Sequence, residues 1–314
     1  MAVTAAMVKE LREMTGAGMM DCKKALAATD GNMDQAVEFL REKGLAGAEK
    51  KAGRIAAEGL VDTMTSGDEK TGVVVEVNSE TDFVAKNEKF RTYVQDVTEQ
   101  ALHTSAADLD AFLAEPWAKD KSLTVEQELS SQIAIIGENL KIRRFEKITE
   151  PEGFVASYIH AGGKIGVLVD VQTDVVNDAI KEMGRNVAMQ AAALKPLFTN
   201  RNEVPTDYLE HEKAILEAQI ANDPKEAAKP EKVKAGMIQG RINKELKEVC
   251  LLDQVYVKAE DGKQSVQAYI DSVAKANGAK IVVKKFIRFE TGEGIEKRND
   301  DFAAEVAKQA GVQA

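Results

Sequence analysis

The residues best placed to do chemistry form one short stretch that combines a carboxylate with an aromatic ring. A valine-rich run at residues 72–77, typical of a buried or half-buried strand, comes just before it. Good N-cap residue types follow the run and lead into an apolar pattern of helical spacing, so the stretch is predicted to be a turn from strand to helix. Its residues are Glu80, Thr81, Asp82, Phe83 and Val84.

An internal repeat bears on the role of Phe83. On local pattern alone, Phe83 could pack into the core as a hydrophobic staple or stay exposed as a contact for another protein. Residues 58–77 and 152–171 align at a constant offset of 94, with eight identical positions of twenty. Each copy is predicted to be a hairpin followed by a helix.

The helices of the two copies align differently from their strands. The pair Ala101-Leu102 matches Ala193-Leu194 at an offset of 92, which gives the first copy two extra residues around residues 80–84. The second copy has only residues 174–177 in that place and no aromatic side chain among them. An aromatic residue that the fold does not require is expected to serve a partner.

Covalent chemistry has few candidates in this sequence. The histidines His103, His160 and His211 are scattered, without a recognisable cofactor loop or metal-ligand spacing. His160 lies at the predicted turn of the second hairpin without an identifiable nucleophile or carboxylate partner, and we expect it to face a partner protein. Cys22 and Cys250 are too few and too far apart for a disulfide framework or a zinc cluster. The sequence therefore predicts a binding protein with no catalytic residue, cofactor or metal.

Composition narrows the class further. A net charge of −10 over 314 residues argues against a general nucleic-acid binder, which needs basic patches to neutralise phosphates. No apolar run approaches membrane-spanning length, and the N-terminus lacks the segments of a signal peptide. The two cysteines are most simply reduced, buried thiols. We expect a soluble cytoplasmic protein of two or three domains that binds neither nucleic acid nor membrane.

The N-terminal part, residues 1–46, is predicted to be a small three-helix bundle resembling the ubiquitin-associated fold, whose usual job is to bind another protein. Glycine and turn residues separate its helices, which span residues 5–14, 20–28 and 34–43, the third ending at Gly44. Met19 and Met20 lie at a loop-to-helix junction, either as an adaptable contact surface or as part of the small core. Residues 47–57 are interpreted as a linker.

The pattern after the linker predicts an α+β core of two related subdomains, each with an antiparallel sheet and helices. The first subdomain covers residues 58–146, and an alternating strand at residues 140–145 can join its sheet. The segment 108–124 contains Trp117, the sole tryptophan, for which packing is the default role. The function of that segment is left open.

The second subdomain covers residues 147–290 and carries an inserted helical hairpin at about residues 205–250. The apolar stripe on each hairpin helix is narrow, which suits pairing either within the chain or with a second copy. Residues 291–314 are interpreted as a C-terminal helical module, with its helix at residues 302–309.

Five ordered motifs make the chain similar to the bacterial elongation factor Ts family, the guanine-nucleotide exchange factors of the GTPase elongation factor Tu. The resemblance spans nearly the whole length. The motifs are LREMTGAGMMDCKKAL at residues 11–26, ETDFVA at 80–85, GEN at 137–139 with IRR at 142–144, YIHAGG at 158–163, and FIRF at 286–289 through GEGIE at 292–296.

The resemblance implies a function and a set of contacts. In the family, the motif matched here by residues 81–84 dislodges magnesium, and its phenylalanine, here Phe83, inserts between helices of the GTPase's nucleotide domain. The bundle contacts the same domain and the second core half another one, the hairpin belongs to a coiled-coil or dimerisation module, and the C-terminal helix adds a contact. Further partner contacts are expected at Arg12, Met19, Met20 and His160.

Several alternatives stay open at the level of sequence. One is a chaperone-like or scaffolding module without exchange activity, in which Phe83 belongs to the core. The working complex could be one-to-one or two-to-two, because a narrow apolar stripe suits both. Asp82 could act on the metal or only cap the turn.

Overall fold

The computed structural model describes residues 3–296 and has a mixed α+β architecture. The N-terminal bundle consists of helices α1 (Ala5–Thr15), α2 (Met19–Ala28) and α3 (Met33–Lys51). Thr4 begins the first helix, since its side chain accepts a hydrogen bond from the amide of Met7. The bundle closes around a small core that contains Leu11, Cys22 and Leu26. The predicted three-helix bundle is confirmed.

The third helix is longer than predicted. We expected it to end at Lys43 because Gly44 follows, but α3 continues to Lys51. Gly44 is buried against helix α7 (Val125–Ile136), where a β-carbon would lie 3.6 Å from that of Ala134. A glycine inside a helix costs about 1 kcal/mol of propensity. Close packing of α3 on α7 offsets that cost, so Gly44 marks a helix contact and not a helix end.

The first core repeat is built on a three-stranded sheet in the order β1-β2-β5. Helix α5 (Glu88–His103) buries its apolar face. The strand predicted at residues 140–145 is part of β5 (Lys141–Thr149), which joins this sheet as expected. A two-residue strand, β3, pairs antiparallel with β4. The elements of this repeat are β1 (Glu58–Thr65), β2 (Thr71–Ser79), α4 (Asp82–Ala85), α5 (Glu88–His103), α6 (Leu109–Ala114), β3 (Pro116–Trp117), β4 (Asp120–Thr124), α7 and β5 (Lys141–Thr149).

The second core repeat has a sheet in the order β6-β7-β8. Its first two strands are antiparallel, with Phe154 opposite Val171. Helix α8 lies on this sheet and shares a core with the residues of α12 and β8. The elements of this repeat are β6 (Gly153–His160), β7 (Ile165–Thr173), α8 (Asp178–Leu194), α12 (Val266–Asn277) and β8 (Ile281–Glu290).

A helical hairpin is inserted into the second repeat after α8. It comprises α9 (Thr206–Asn222), the single turn α10 (Pro224–Ala227) and α11 (Glu231–Val249). The start of α9 meets the end of α11, where the hydroxyl of Tyr208 donates to Glu245 at 3.2 Å. The predicted hairpin of two helices is therefore present.

The repeat extends further than the sequence comparison indicated. Helices α7 and α12 have twelve residues each, and each ends at a glycine in the left-handed conformation, Gly137 and Gly278. The strands that follow carry the similar segments 142–145 and 283–286, which read IRRF and VKKF. Both repeats thus consist of a hairpin, a helix, a second helix and a third strand.

Trp117 has a structural role in this scheme. Its side chain is 4% exposed and lies beside Tyr93, with 6.2 Å between the ring centroids. The amide side chain of Gln100 bonds the backbone on both sides of Trp117, and Gln190 makes the equivalent pair of bonds around Tyr256. The segment 108–124, whose role was open, is therefore held by a buried glutamine of the first repeat. The residues around Tyr256 are held in the same way in the second repeat.

Contacts divide the chain into two compact units. The predicted C-terminal helix at residues 302–309 lies outside the described residues. Within residues 3–296, no helix is long and apolar enough to cross a membrane. The same residues hold no cluster of three or more His, Cys, Asp or Glu side chains that could bind a metal ion. The first unit consists of Met1–Asp62, Val75–Phe145 and Phe289–Ala314, and the second of Thr63–Val74 and Glu146–Arg288.

Candidate functional site

The stretch at residues 80–84 forms the connection between β2 and α5, and it contains an insertion relative to the second repeat. The two helices start after asparagine caps at Asn87 and Asn177, which are 90 positions apart. The strands before them are 94 positions apart, so the first copy has four extra residues. The predicted location is confirmed, but the predicted count of two is wrong. The insertion has the same length as the four-residue helix α4.

The error in the count comes from a false match between two alanine-leucine pairs. Ala101 is buried on α5, and its structural equivalent on α8 is the buried Ala191, not Ala193. Leu194, which was matched to the buried Leu102, is exposed at the end of α8. Identity of two residues was a weaker guide to register than the pattern of burial.

Phe83 lies on α4 with its side chain 79% exposed, the most exposed large hydrophobic side chain among the described residues. Ala85, two residues later, is buried and holds the short helix against the protein. The interpretations of Phe83 as a hydrophobic staple or as a core residue are therefore wrong. No segment within residues 3–296 buries the ring, which is the arrangement expected of an anchor for a partner.

The turn is held in place by one carboxylate, that of Glu138. Its Oε2 accepts hydrogen bonds from the amides of Glu80 and Thr81, each at 3.1 Å. Its Oε1 accepts from the hydroxyl of Thr81 at 2.6 Å. Charge-assisted bonds of this kind are about twice as strong as neutral ones. The backbone that leads into α4 is thus fixed at three points by a residue 57 to 58 positions later.

A second set of bonds runs in the opposite direction. The carboxylate of Glu80 accepts from the amide of Asn139 at 2.6 Å and lies 3.4 Å from the guanidinium of Arg54. The side chain of Asn139 donates to the carbonyl of Arg54 at 2.8 Å. The segment before β1 and the loop before β5 therefore brace the same turn, and the Phe83 ring is presented from a preorganised base.

The two residues before Phe83 have distinct roles. Thr81 caps α4, since its hydroxyl accepts from the amide of Val84 at 3.4 Å. Asp82 is the first residue of the helix and not its cap, and its carboxylate binds Lys86 at 2.6 Å. The interpretation of Asp82 as a helix cap is wrong. The ammonium of Lys86 also lies 5.9 Å from the centre of the Phe83 ring.

This geometry fits a binding surface and not a reaction centre. An exposed aromatic ring, a carboxylate and an ammonium stand together on a braced turn. Burying the Phe83 ring in a partner would contribute about 1.5 to 3 kcal/mol. Asp82 is half-exposed, with its carboxylate paired to Lys86.

The predicted contact residues of the bundle are also on its surface. Arg12 is exposed near the end of α1, and Met19 and Met20 begin α2 with side chains 58% and 62% exposed. The alternative that the two methionines fill the bundle core is wrong. Met14, which the sequence interpretation did not single out, is exposed beside them in the chain. Flexible thioether side chains suit an adaptable contact surface.

His160 lies in the second unit, where β6 ends at the hairpin turn. It is exposed, and its Nδ1 lies 3.2 Å from the hydroxyl of Tyr158. The expectation of an exposed turn histidine is confirmed.

The sequence interpretation did not identify the charged residues that hold the Phe83 turn in place. Glu138 and Lys86 were not among its candidates, although Glu138 lies in the quoted GEN motif. A charged residue directly after the left-handed Gly137 and three residues before a strand was the available signal. Its partner, the turn 57 residues earlier, could not be read from local pattern.

Comparison with known proteins identifies what the chain is similar to. The family model described as Elongation factor TS matches residues 80–293, and the model described as UBA/TS-N domain matches residues 3–40. Elongation factor Ts of Clostridium botulinum (strain Eklund 17B / Type B) is 50% identical over 98% of this chain and 99% of its own length. The Clostridioides difficile (strain 630) protein of the same name is 51% identical over 98% of both chains. That of Trichlorobacter lovleyi is 49% identical over 99% of this chain and 100% of its own.

Proposed function

The chain belongs to the elongation factor Ts family and has a role in translation elongation, and on that basis we propose that it is the guanine-nucleotide exchange factor of elongation factor Tu. It binds the GTPase carrying GDP, disturbs the magnesium and phosphate site, and promotes GDP release so that GTP can rebind. It acts by binding, without covalent chemistry. The exposure of Phe83 on a braced turn is the observation that carries the proposal.

The nucleotide site of a GTPase is sensitive to small displacements. Loop amides, a lysine and magnesium hold the phosphates, and each of these contacts is charge-assisted. A backbone shift of the phosphate or magnesium loops weakens several of them at once. A protein that stabilises the shifted loops therefore lowers nucleotide affinity without touching the nucleotide.

Phe83 is proposed as the wedge that stabilises the shifted state. The free ring is largely in water, so its burial between helices of the partner is a net gain of apolar contact. Because Glu138 fixes the backbone under it, little ordering entropy is lost on binding. Thr81 shapes the turn, while Asp82 and Val84 flank the ring and are assigned to the same contact.

The coupling between factor and nucleotide is reciprocal. If the factor weakens GDP binding tenfold, GDP weakens binding of the factor tenfold, and each factor of ten corresponds to about 1.4 kcal/mol. A complex without nucleotide is thus the most stable one, and rebinding of GTP releases the factor. This reciprocity makes the protein work in catalytic amounts.

Other surfaces are proposed to add affinity. The exposed residues Arg12, Met19 and Met20 of the bundle are assigned to the nucleotide domain of the GTPase, and His160 to another of its domains. The helical hairpin is proposed as a coiled-coil module for a two-to-two assembly. The cytoplasm, where translation takes place, is the proposed location.

The test is release of a fluorescent GDP from elongation factor Tu after mixing with excess unlabelled nucleotide. Catalytic amounts of the protein are expected to accelerate release by at least about tenfold. When EDTA has already removed magnesium, the protein is expected to accelerate GDP release by a smaller factor, because disturbing the magnesium site then adds nothing further. Unchanged GDP release in the presence of the protein would contradict the proposal and leave a scaffolding role.

A further inference from the structure

Glu76 is a buried acid in the middle of β2, and its carboxylate is bonded on all sides. Arg143 donates to both of its oxygens, at 2.9 and 3.2 Å, and Arg144 donates to Oε2 at 2.7 Å. The amide of Gly292 and the side chain of Asn78 donate to Oε1 at 2.7 and 3.0 Å. The side chain of Glu76 is completely inaccessible to solvent.

This network holds the segment 289–293 in addition to the sheet. The guanidinium of Arg144 stacks on the ring of Phe289, 4.0 Å from its centre. That of Arg143 donates to the carbonyl of Glu293 at 2.5 Å. The segment fits tightly, since a β-carbon on Gly292 would lie 2.1 Å from the carbonyl oxygen of Ala57.

The strands joined by Glu76 are those that carry the Phe83 turn. The turn leaves β2 four residues after Glu76, and its brace Glu138 stands three residues before β5. Arg143 and Arg144 lie on β5, so the network cross-links the two strands close to the points where turn and brace emerge.

The second repeat has an acid in the same place but a different environment. Asp170 on β7 is the equivalent of Glu76, and it faces a second buried carboxylate, Glu150. In place of two arginines there are lysines, of which Lys284 binds Glu150 at 2.7 Å. The turn after β7 carries no aromatic residue. The arginine network therefore accompanies the repeat that presents the exposed ring.

A gain in folding stability does not by itself explain the buried ion network around Glu76. Removing charges from water is costly, and a buried ion pair can often be replaced by apolar residues without loss of stability. A carboxylate that accepts five hydrogen bonds from four fixed donors does specify one geometry, because each bond has a narrow range of distance and angle.

We propose that Glu76 is a positioning residue for nucleotide exchange: it locks β2, β5 and the segment 289–293 together so that the Phe83 turn is presented to the GTPase as a rigid wedge. This inference rests on the proposed function. Glu76 acts through the turn and does not itself touch the partner.

The decisive variant is Glu76→Gln, which keeps the shape of the side chain and removes the charge. Asp170→Asn is the matched control, because it neutralises the equivalent buried acid of the repeat without the wedge. Gly292→Ala disturbs the same network in a second way, because its β-carbon displaces the segment 289–293 while the three charged side chains stay unchanged. All variants are first checked for a native circular-dichroism spectrum and a cooperative melt.

The first readout needs no partner. Amide hydrogen exchange at residues 80–85 is expected to rise at least about tenfold in Glu76→Gln and in Gly292→Ala, and to stay unchanged along α8. Asp170→Asn is expected to leave residues 80–85 unchanged. If the turn keeps its protection in Glu76→Gln, or loses it equally in Asp170→Asn, the positioning role is wrong.

The second readout is a double-mutant cycle on GDP release. Glu76→Gln is expected to lower the maximal acceleration about tenfold in the wild-type background and to have no further effect in a Phe83→Ala background. Independent, multiplicative losses would overturn the proposal, since they indicate a general defect. If the wild-type protein does not accelerate GDP release, the proposed function fails, and hydrogen exchange alone decides whether Glu76 positions the turn.

Discussion

At the scale of single residues, the side chain proposed to enter the partner is distinct from the side chains that hold its turn in place. Phe83 has a ring in solvent, whereas Glu138 accepts hydrogen bonds from the backbone beneath it. Glu80 accepts from the amide of Asn139, whose side chain donates to the carbonyl of Arg54. A flexible aromatic side chain on a loose loop would lose entropy when a partner ordered it. The braces remove that cost before binding takes place.

The brace can be tested through Glu138→Ala. The substitution leaves two backbone amides and one hydroxyl without their acceptor, so we expect the free energy of unfolding to fall by about 1 to 3 kcal/mol. The acceleration of GDP release should fall as well. Urea unfolding and the GDP assay check the two effects, with Glu126→Ala on the exposed face of α7 as the control. Equal behaviour of the two variants would show that Glu138 does not support the turn.

At the scale of elements, the core is one structural unit used twice. Both hairpins begin at a glycine packed against the backbone of the neighbouring strand, Gly59 against Val77 and Gly153 against Val171. A β-carbon would lie 2.2 Å from the carbonyl oxygen in the first case and 2.0 Å in the second. The repeats therefore share the positions that allow close approach and differ in the four residues of α4.

We expect Gly59→Ala and Gly153→Ala to be similarly destabilising. Each forces two backbone segments apart, and overpacking of this kind costs about 1 to 3 kcal/mol or more. Thermal melts of the two variants, compared with Gly236→Ala on α11 where a β-carbon meets no atom within 4 Å, measure the effect. A stable Gly59→Ala variant would contradict the close approach of Gly59 to the backbone of Val77.

Much of this architecture could be predicted from the sequence. The strands of the two copies share identical residues at a constant offset, so the repeat is visible in the sequence, and the location of the insertion follows from that alignment. The second halves of the repeats were missed, although IRRF and VKKF, at residues 142–145 and 283–286, carry the same pattern. The contact of Gly44 with α7 could not be predicted, because a glycine reads locally as a helix end whether or not another helix packs there.

At the scale of the whole molecule, the two repeats differ in how they bury an acid. In the first, arginines and an amide neutralise Glu76. In the second, burial and the neighbouring carboxylate of Glu150 raise the pKa of Asp170 to about 6. The ion pair with Lys284 helps hold the pKa of Glu150 below its usual value, against the effect of burial. The acid of the second repeat therefore holds a proton to a higher pH than a free aspartate does.

Stability is expected to depend on pH through that proton. Between pH 4 and 6 the folded Asp170 retains a proton that the unfolded chain has lost, so stability falls as pH rises through this range. The variant Asp170→Asn lacks this dependence. Relative to wild type, its free energy of unfolding should therefore rise by about 1 to 3 kcal/mol from pH 4.5 to pH 7.5. Urea titrations at the two pH values check this, and parallel changes in both proteins would contradict it.

Stopped-flow release of fluorescent GDP with the Phe83→Ala variant measures how much of the exchange depends on the exposed ring of Phe83. The control is Val257→Ala, which removes a side chain 48% exposed in the second unit. Both variants should melt like wild type, since neither side chain is buried. We expect the maximal acceleration of GDP release to be at least about tenfold lower with Phe83→Ala than with wild type, because the variant has no ring to bury in the partner. With Val257→Ala the acceleration is expected to equal that of wild type. A folded Phe83→Ala variant with full acceleration would show that Phe83 is not the wedge and that other contacts promote GDP release.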